Sequence, residues 1–123
     1  MSFVHIKSDT GAVPPWEYKP ADAGTYQVGQ LLGVTDGVLT ALAVFDETPP
    51  YLCMREDTIE AGTILPVTRV SDDYVYETTL ADGSEPEIGD KLQITADGLQ
   101  AEEGDGTFEV VLIDGDRVHG RWV

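Results

Sequence analysis

The sequence has one cysteine and two histidines among 123 residues. Because a disulfide joins two cysteines, Cys53 cannot form one within the chain. Zinc sites are built from clusters of Cys and His, and one thiol with the distant His5 and His119 makes no such cluster. The nucleophile motif G-x-S-x-G and the zinc motif H-E-x-x-H are both absent from the sequence. We therefore expect no catalytic residues, no cofactor and no metal.

Basic residues and long apolar runs are also scarce. Seven Lys and Arg stand against 23 Asp and Glu, which gives a net charge of -16. Such a balance disfavours binding to phosphate backbones, because the main attractive force would have the wrong sign. No segment approaches the roughly 18 apolar residues of a membrane helix, and the first seven residues lack the apolar region of a signal peptide. We expect no nucleic acid and no membrane as partner, and synthesis in the cytoplasm. The acidic charge favours either solubility at high local concentration or a partner with a basic surface.

Carboxylates are abundant, so counting residues leaves a general acid–base pair open. Two acidic groups have a spacing that could attract calcium: Glu102 and Glu103 with Asp105, and Asp114 with Asp116. The residue pattern of an EF-hand loop, with its terminal Glu, is missing from both. We interpret them as solvated turn residues.

What the sequence does contain is a regular succession of short apolar runs and turns. Runs rich in β-branched and aromatic residues cover 64–70, 74–80 and 108–113. Asp-Gly pairs suit the positive φ of tight hairpin turns, and they occur at residues 36–37, 82–83, 97–98, 105–106 and 114–115. No window shows a convincing helical stripe. The pattern predicts an all-β domain of about eight or nine strands.

A weak internal repeat organises the chain. Residues 28–39 (VGQLLGVTDGVL) align with residues 88–99 (IGDKLQITADGL) when one residue is inserted. Each copy contains a turn glycine, a strand, a hairpin and a second strand, and a unit this small cannot bury its apolar face alone. We predict one β domain over 25–123, a small β-barrel or sandwich built from two related strand-turn-strand units at about 27–80 and 87–123.

Residues 1–24 differ from the rest of the chain, because Pro14, Pro15 and Pro20 disfavour both helix and central strand. We predict an extended N-terminal arm. The arm carries apolar and aromatic residues that a solvated tail does not need: Phe3, Val4, Ile6, Trp16 and Tyr18. Two interpretations are open. The arm folds back on its own domain, or it docks on a neighbouring subunit and these five residues bind the partner.

Six segments of the chain resemble a known family. They read VGQLLGVTDGVLTAL, PPYLCM, AGTILPVTRVSDDYVYET, IGDKLQITADGLQ, FEVV and GDRVHGRWV. In their order after a Pro-rich arm, they resemble small proteins encoded beside the major capsid gene of tailed phages and prophages. The first half is similar in layout to the lambda-type head decoration proteins. The resemblance in layout covers residues 1–80, and the second repeat copy lies beyond the family's usual pattern.

The resemblance implies a β-clip-like fold and a structural role. Family members stabilise the outside of the head as trimers, and their arm joins a neighbouring capsid sheet. For this chain it implies the major capsid protein as partner, a homotrimer, and a location on the capsid exterior after assembly in the bacterial cytoplasm. Two other functions stay open: a ligand- or carbohydrate-binding β module, and another phage or bacterial β-rich interaction protein.

Overall fold

The computed structural model describes residues 2–8, 11 and 13–123. Across these residues the chain forms strands and turns, with no helix and hence none that could cross a membrane. The strands are β1 (Val4–Ser8), β2 (Trp16–Ala21), β3 (Gly24–Tyr26), β4 (Leu31–Thr35), β5 (Val38–Ala41), β6 (Tyr51–Cys53), β7 (Asp57–Ile59), β8 (Thr63–Arg69), β9 (Tyr74–Thr79), β10 (Lys91–Ile94), β11 (Ala101–Glu102), β12 (Phe108–Asp114) and β13 (Arg117–Trp122). The prediction of an all-β small barrel is confirmed.

The first half of the chain forms a closed barrel with the strand order β2-β5-β4-β6-β8. Its neighbours pair antiparallel, except that β2 and β5 meet in parallel at Ala21 and Leu39, where the barrel closes. The hairpin between β4 and β5 turns at Asp36 and Gly37, whose φ values are 52° and 79°. Both values are positive, as the Asp-Gly pair predicts. A separate two-stranded sheet pairs β3 with β7.

The second half forms a six-stranded sheet with the order β1-β9-β13-β12-β10-β11. Leaving out β1, its strands follow the same order as those of the barrel: β9 matches β2, β13 matches β8, β12 matches β6, β10 matches β4 and β11 matches β5. The parallel contact is also repeated, because Leu80 after β9 bridges Ala101 of β11 in parallel. The two halves of the chain therefore share one strand arrangement.

This arrangement places the two units differently from the predicted limits of 27–80 and 87–123. Strand β2 lies before residue 27 and belongs to the first unit, and β9 lies before residue 80 and belongs to the second. The aligned segments themselves, which contain the turn glycines Gly29 and Gly89, do lead into the corresponding strands β4 and β10. The internal repeat was recognised from these turns, so the predicted limits left out the first strand of each unit.

The apolar side chains form two clusters. The smaller one fills the barrel and includes Leu32, Leu39 and Leu65. The larger one lies on the inner face of the six-stranded sheet, around Tyr76 and Trp122, and barrel residues also contribute to it. The second unit thus packs its buried face against the outside of the first.

Strands β1 and β2 decide between the two interpretations of residues 1–24. Strand β1 pairs with β9 and β2 pairs with β8, so both fold back on the chain's own body. Phe3 is only 1% exposed and packs against Phe108 and Trp122, each at 5.6 Å between ring centroids. The expectation that Phe3 fills a pocket on a partner is therefore corrected: an aromatic ring this close to two others is used in the core.

We expect Phe3→Ala to lower the free energy of unfolding by about 3–5 kcal/mol, because it empties a buried aromatic site. The neighbouring Val4→Ala is the matched control and should cost less than about 0.5 kcal/mol, since Val4 is 51% exposed. Urea denaturation of the purified variants measures both. Equal, small effects would show that the N-terminal segment, residues 2–8, adds nothing to the stability of the folded body.

Candidate functional site

An apolar groove lies where the N-terminal segment crosses the barrel. Its volume is about 200 Å³, and its floor includes Phe3, Leu52 and Met54. Leu52 comes from β6, and Met54 follows directly after it. The hydroxyl of Thr68, on β8, donates a hydrogen bond to the Met54 sulfur at 3.9 Å. The groove is the space that remains between β1 and the barrel where the two cross.

Backbone hydrogen bonds at Gly29 fix this crossing. The Phe3 N–H donates to the Gly29 carbonyl at 2.9 Å, and the Gly29 N–H donates to the Cys53 carbonyl at 2.8 Å. The Cys53 N–H in turn donates to the Gln30 carbonyl at 2.8 Å. A Cβ on Gly29 would overlap the Ser2 side chain and lie 2.7 Å from the Phe3 oxygen. Only a glycine lets the N-terminal segment approach the barrel this closely.

The rim of the groove is apolar and exposed. Trp16 on β2 is 52% exposed, and Val13, Val4 and Val28 are exposed by 79%, 51% and 51%. Single exposed apolar residues are ordinary on protein surfaces, whereas a contiguous apolar group around a concave site is a candidate binding surface. Trp16 supplies the largest side chain of the rim, and tryptophan is enriched among the residues that dominate binding energy.

His5 stands in the wall of the groove, on the opposite side of β1 from Val4. Its ring packs edge-on against those of Tyr74 and Tyr76, at centroid distances of 5.0 and 6.0 Å. Its Nε2 atom is buried and has no hydrogen-bond partner among the described residues. Burial lowers the pKa of this imidazole below its usual value. Burial therefore favours the neutral form of the imidazole in this wall.

The structure brings together three of the five residues that the sequence singled out. Phe3 lies in the floor of the groove, and Val4 and Trp16 lie on its rim. Ile6 and Tyr18 are exposed but lie outside the lining, Ile6 at a bulge of β1 and Tyr18 further along β2. A partner-binding role of the exposed four remains a prediction.

Sequence reasoning missed the part of the groove that comes from outside the first 24 residues. Val28, Leu52 and Met54 were interpreted as parts of the repeat and of a strand, and nothing in the sequence places them beside Trp16. One signal was available. Val28 precedes Gly29, and a glycine that begins a repeat is a position where another backbone segment can approach closely.

Two ionisable groups outside the groove are held in structural contacts. The Glu77 carboxylate binds Arg117 Nη1 and His119 Nε2, both at 2.8 Å. Hydrogen bonds from His119 and then Arg117 lower the pKa of Glu77. Burial raises the pKa of the Cys53 thiol, which donates to the Arg55 carbonyl at 3.1 Å. A carboxylate held ionised and a thiol held protonated are poorly suited to acid and nucleophilic catalysis, respectively.

The acidic turns form no recognisable ion site. Within the part of the chain that the structure describes, no three His, Cys, Asp or Glu side chains are grouped so that they could hold a metal.

Comparisons with models of known protein families, with curated proteins and with solved structures found no match to this chain. The groove itself is thus the feature from which a function has to be argued.

The repeat supplies a matched test of the groove's construction. Gly29 and Gly89 occupy corresponding positions and have φ values of 83° and 93°, but a Cβ on Gly89 would meet nothing within 4 Å. Gly89→Ala should cost about 1–2 kcal/mol, from backbone strain alone. Gly29→Ala should cost at least about 2 kcal/mol more, because it also overlaps Ser2 and Phe3. Urea unfolding compares the two, and equal costs would contradict the close crossing.

Proposed function

We propose that this protein is a structural binding protein of the head decoration type, which attaches to the outside of a tailed-phage or prophage capsid. The observation that carries the proposal is the groove, with the half-exposed Trp16 on its rim and Phe3, Leu52 and Met54 in its floor. The partner is the major capsid protein. One of its apolar side chains enters the groove, and Trp16 packs over it.

The size of the groove favours a side chain over a free ligand. Small-molecule sites usually have volumes of about 300–1,000 Å³ and bury most of the ligand, whereas this groove has about 200 Å³. That space suits one large apolar side chain. A carbohydrate needs several polar groups converging on its hydroxyls, and among the lining residues only His5, Trp16 and Thr68 have a polar side-chain group.

The charge of the chain supports the same function. A net charge of -16 keeps a protein soluble at high concentration and repels packaged DNA. It also attracts a partner whose surface is basic around the apolar anchor, which raises the rate of association. On this proposal the protein folds in the bacterial cytoplasm and ends on the capsid exterior, where a homotrimer would multiply each weak contact.

The family's docking arm takes a different form in this proposal. Because β1 and β2 are strands of the body, the N-terminal segment contributes to binding by forming the groove wall. Strands β1 and β2 are already ordered before attachment, so this part of the interaction escapes the entropy cost of ordering a free segment.

Co-sedimentation with shells assembled from the major capsid protein encoded nearest its gene tests the proposal. We expect saturable binding of the wild-type protein. Trp16→Ala should weaken it by about 30-fold, the effect of losing a contact worth about 2 kcal/mol.

Val34→Ala is the control, because Val34 is exposed on β4 and does not line the groove. It should bind as the wild type does. A wild-type protein that stays in the supernatant at every concentration would reject the capsid as partner. Equal binding by the Trp16 and Val34 variants would reject the groove as the attachment site.

A further inference from the structure

Strand β4 is paired further along one edge than along the other. On the β5 side its residues 32–35 are paired, whereas on the β6 side the pairing stops at Leu32, which lies opposite Tyr51. No other strand within the described residues pairs with β4. Residues 33–35 therefore leave an open stretch of strand edge, and such an edge is a template for another extended chain.

The backbone N–H and C=O of Val34 lie at this open edge. Thr35 and Val38 flank the two-residue turn and form a hydrogen-bonded pair. In an antiparallel ladder only every second residue bonds to a given neighbour, so the groups of Val34 point away from β5, as do those of Leu32, which reach β6. No hydrogen bond to either backbone group of Val34 occurs within the described residues. Val34 thus offers one free donor and one free acceptor.

Two prolines explain why β6 does not continue along this edge. If the ladder between β4 and β6 were extended by two residues, Pro49 would lie opposite Val34. Proline has no N–H, so it cannot donate to the Val34 carbonyl. The carbonyl of Pro50 accepts instead from the Val70 N–H at 3.0 Å. The chain before β6 therefore stays beside β8 and leaves the edge of β4 open.

A cleft of about 330 Å³ separates this edge from the segment 43–50, and we call it the β4 cleft. Its two sides are lined by Gly33, Val34 and Thr35 and by Val44, Glu47 and Pro49. The far wall is held in place, because the Phe45 carbonyl accepts from the Ile94 N–H at 2.8 Å. The cleft is therefore formed by the chain's own packing before anything binds in it.

The surface around the β4 cleft is acidic. Among the described residues, Glu47 is the one charged residue in its lining. Asp36 and Asp46 adjoin lining residues in the chain, and both are exposed. No Lys or Arg occurs between residues 20 and 54. An incoming chain therefore meets carboxylates on both sides of the open edge.

Basic side chains do reach the end of the barrel beyond β6, but they are already paired. Lys19 and Arg69 both contact the Glu17 carboxylate, at 3.9 and 3.2 Å. Together with the three acidic residues beside the cleft, these side chains hold two positive and four negative charges, which sum to -2. This side of the chain thus attracts a basic segment even when the neighbouring ion pairs are counted.

We propose that the β4 cleft binds a short, extended, basic segment of another protein, which adds to the open edge of β4 as a strand. One residue of that segment satisfies both free groups, because its N–H donates to the Val34 carbonyl and its carbonyl accepts from the Val34 N–H. The Lys or Arg side chains on either side of this residue meet Asp36, Asp46 and Glu47.

This peptide site is independent of the groove under β1. The two share no lining residue, and the new contact uses the backbone of Val34 and not its side chain. Failure of the peptide site would therefore leave the capsid proposal untouched.

Titration of nitrogen-15-labelled protein with a five-residue peptide of alternating lysine and valine, followed by NMR, tests the proposal. We expect a saturable shift of the Val34 amide resonance together with those of residues 43–48, and no shift of the Trp16 indole. A peptide in which glutamate replaces lysine should bind at least about tenfold more weakly, because the carboxylates beside the cleft repel it.

Val34→Pro removes the donor at the open edge. Proline is tolerated where the N–H of a strand faces solvent, and the loss of one hydrogen bond should weaken peptide binding by about tenfold. Val34→Thr is the matched control, because it keeps the N–H and a β-branched side chain, and it should bind as the wild type does. The resonances of residues 43–48 report binding in both variants.

Melting curves show whether both variants are folded. If Val34→Pro is not, a peptide N-methylated at its internal residues takes its place, since it cannot donate to the Val34 carbonyl of the wild-type protein. It should bind about tenfold more weakly than the unmethylated peptide. A wild-type protein with no saturable shift at Val34, shifts centred on Trp16, or equal binding of the compared variants or peptides would overturn the proposal.

Discussion

Phe3 lies between Phe108 and Trp122, and its backbone N–H is bonded to Gly29. This one contact joins the first residues of the chain to both halves of the fold: the two rings belong to the six-stranded sheet, and Gly29 leads into the barrel. Strand β1 can then pair with β9, and β2 enters the barrel beside β8. The groove is the space left under this crossing, so its shape depends on the burial of a single aromatic side chain.

The two units use the same strand order for different purposes. The first closes into a barrel with its own apolar interior, while the second buries its inner face against the outside of that barrel. Because the second unit buries only the inner face of its sheet against the barrel, its outer face points away from the core. The exposed apolar residues of the groove rim lie instead at the crossing of the N-terminal segment.

Much of the fold could be predicted from the sequence, because strands and turns have local signals. The runs at 64–70, 74–80 and 108–113 match β8, β9 and β12 to within about a residue, and the turn at Asp36 and Gly37 is where the Asp-Gly pair placed it. Strands of two or three residues, such as β7 and β11, are too short to show alternation. About eight or nine strands were therefore expected, and thirteen lie within the described residues. The prolines led to the wrong expectation that this segment forms no strand of the sheet. Pro20 lies within β2, but β2 pairs with β5 only at Ala21, so the missing N–H of Pro20 costs no ladder hydrogen bond toward β5. Predicting the groove requires knowing which distant segments of the chain meet, and no local sequence pattern gives that information.

The N-terminal segment is part of the folded body before any partner binds. Hydrogen exchange of the isolated protein at neutral pH, read by mass spectrometry, tests it directly. Amides of β1 bonded to β9 should be protected to within about tenfold of those that join β9 to β13, because both belong to one sheet. Exchange of β1 at the rate of an unstructured peptide, while β9 and β13 stay protected, would contradict it.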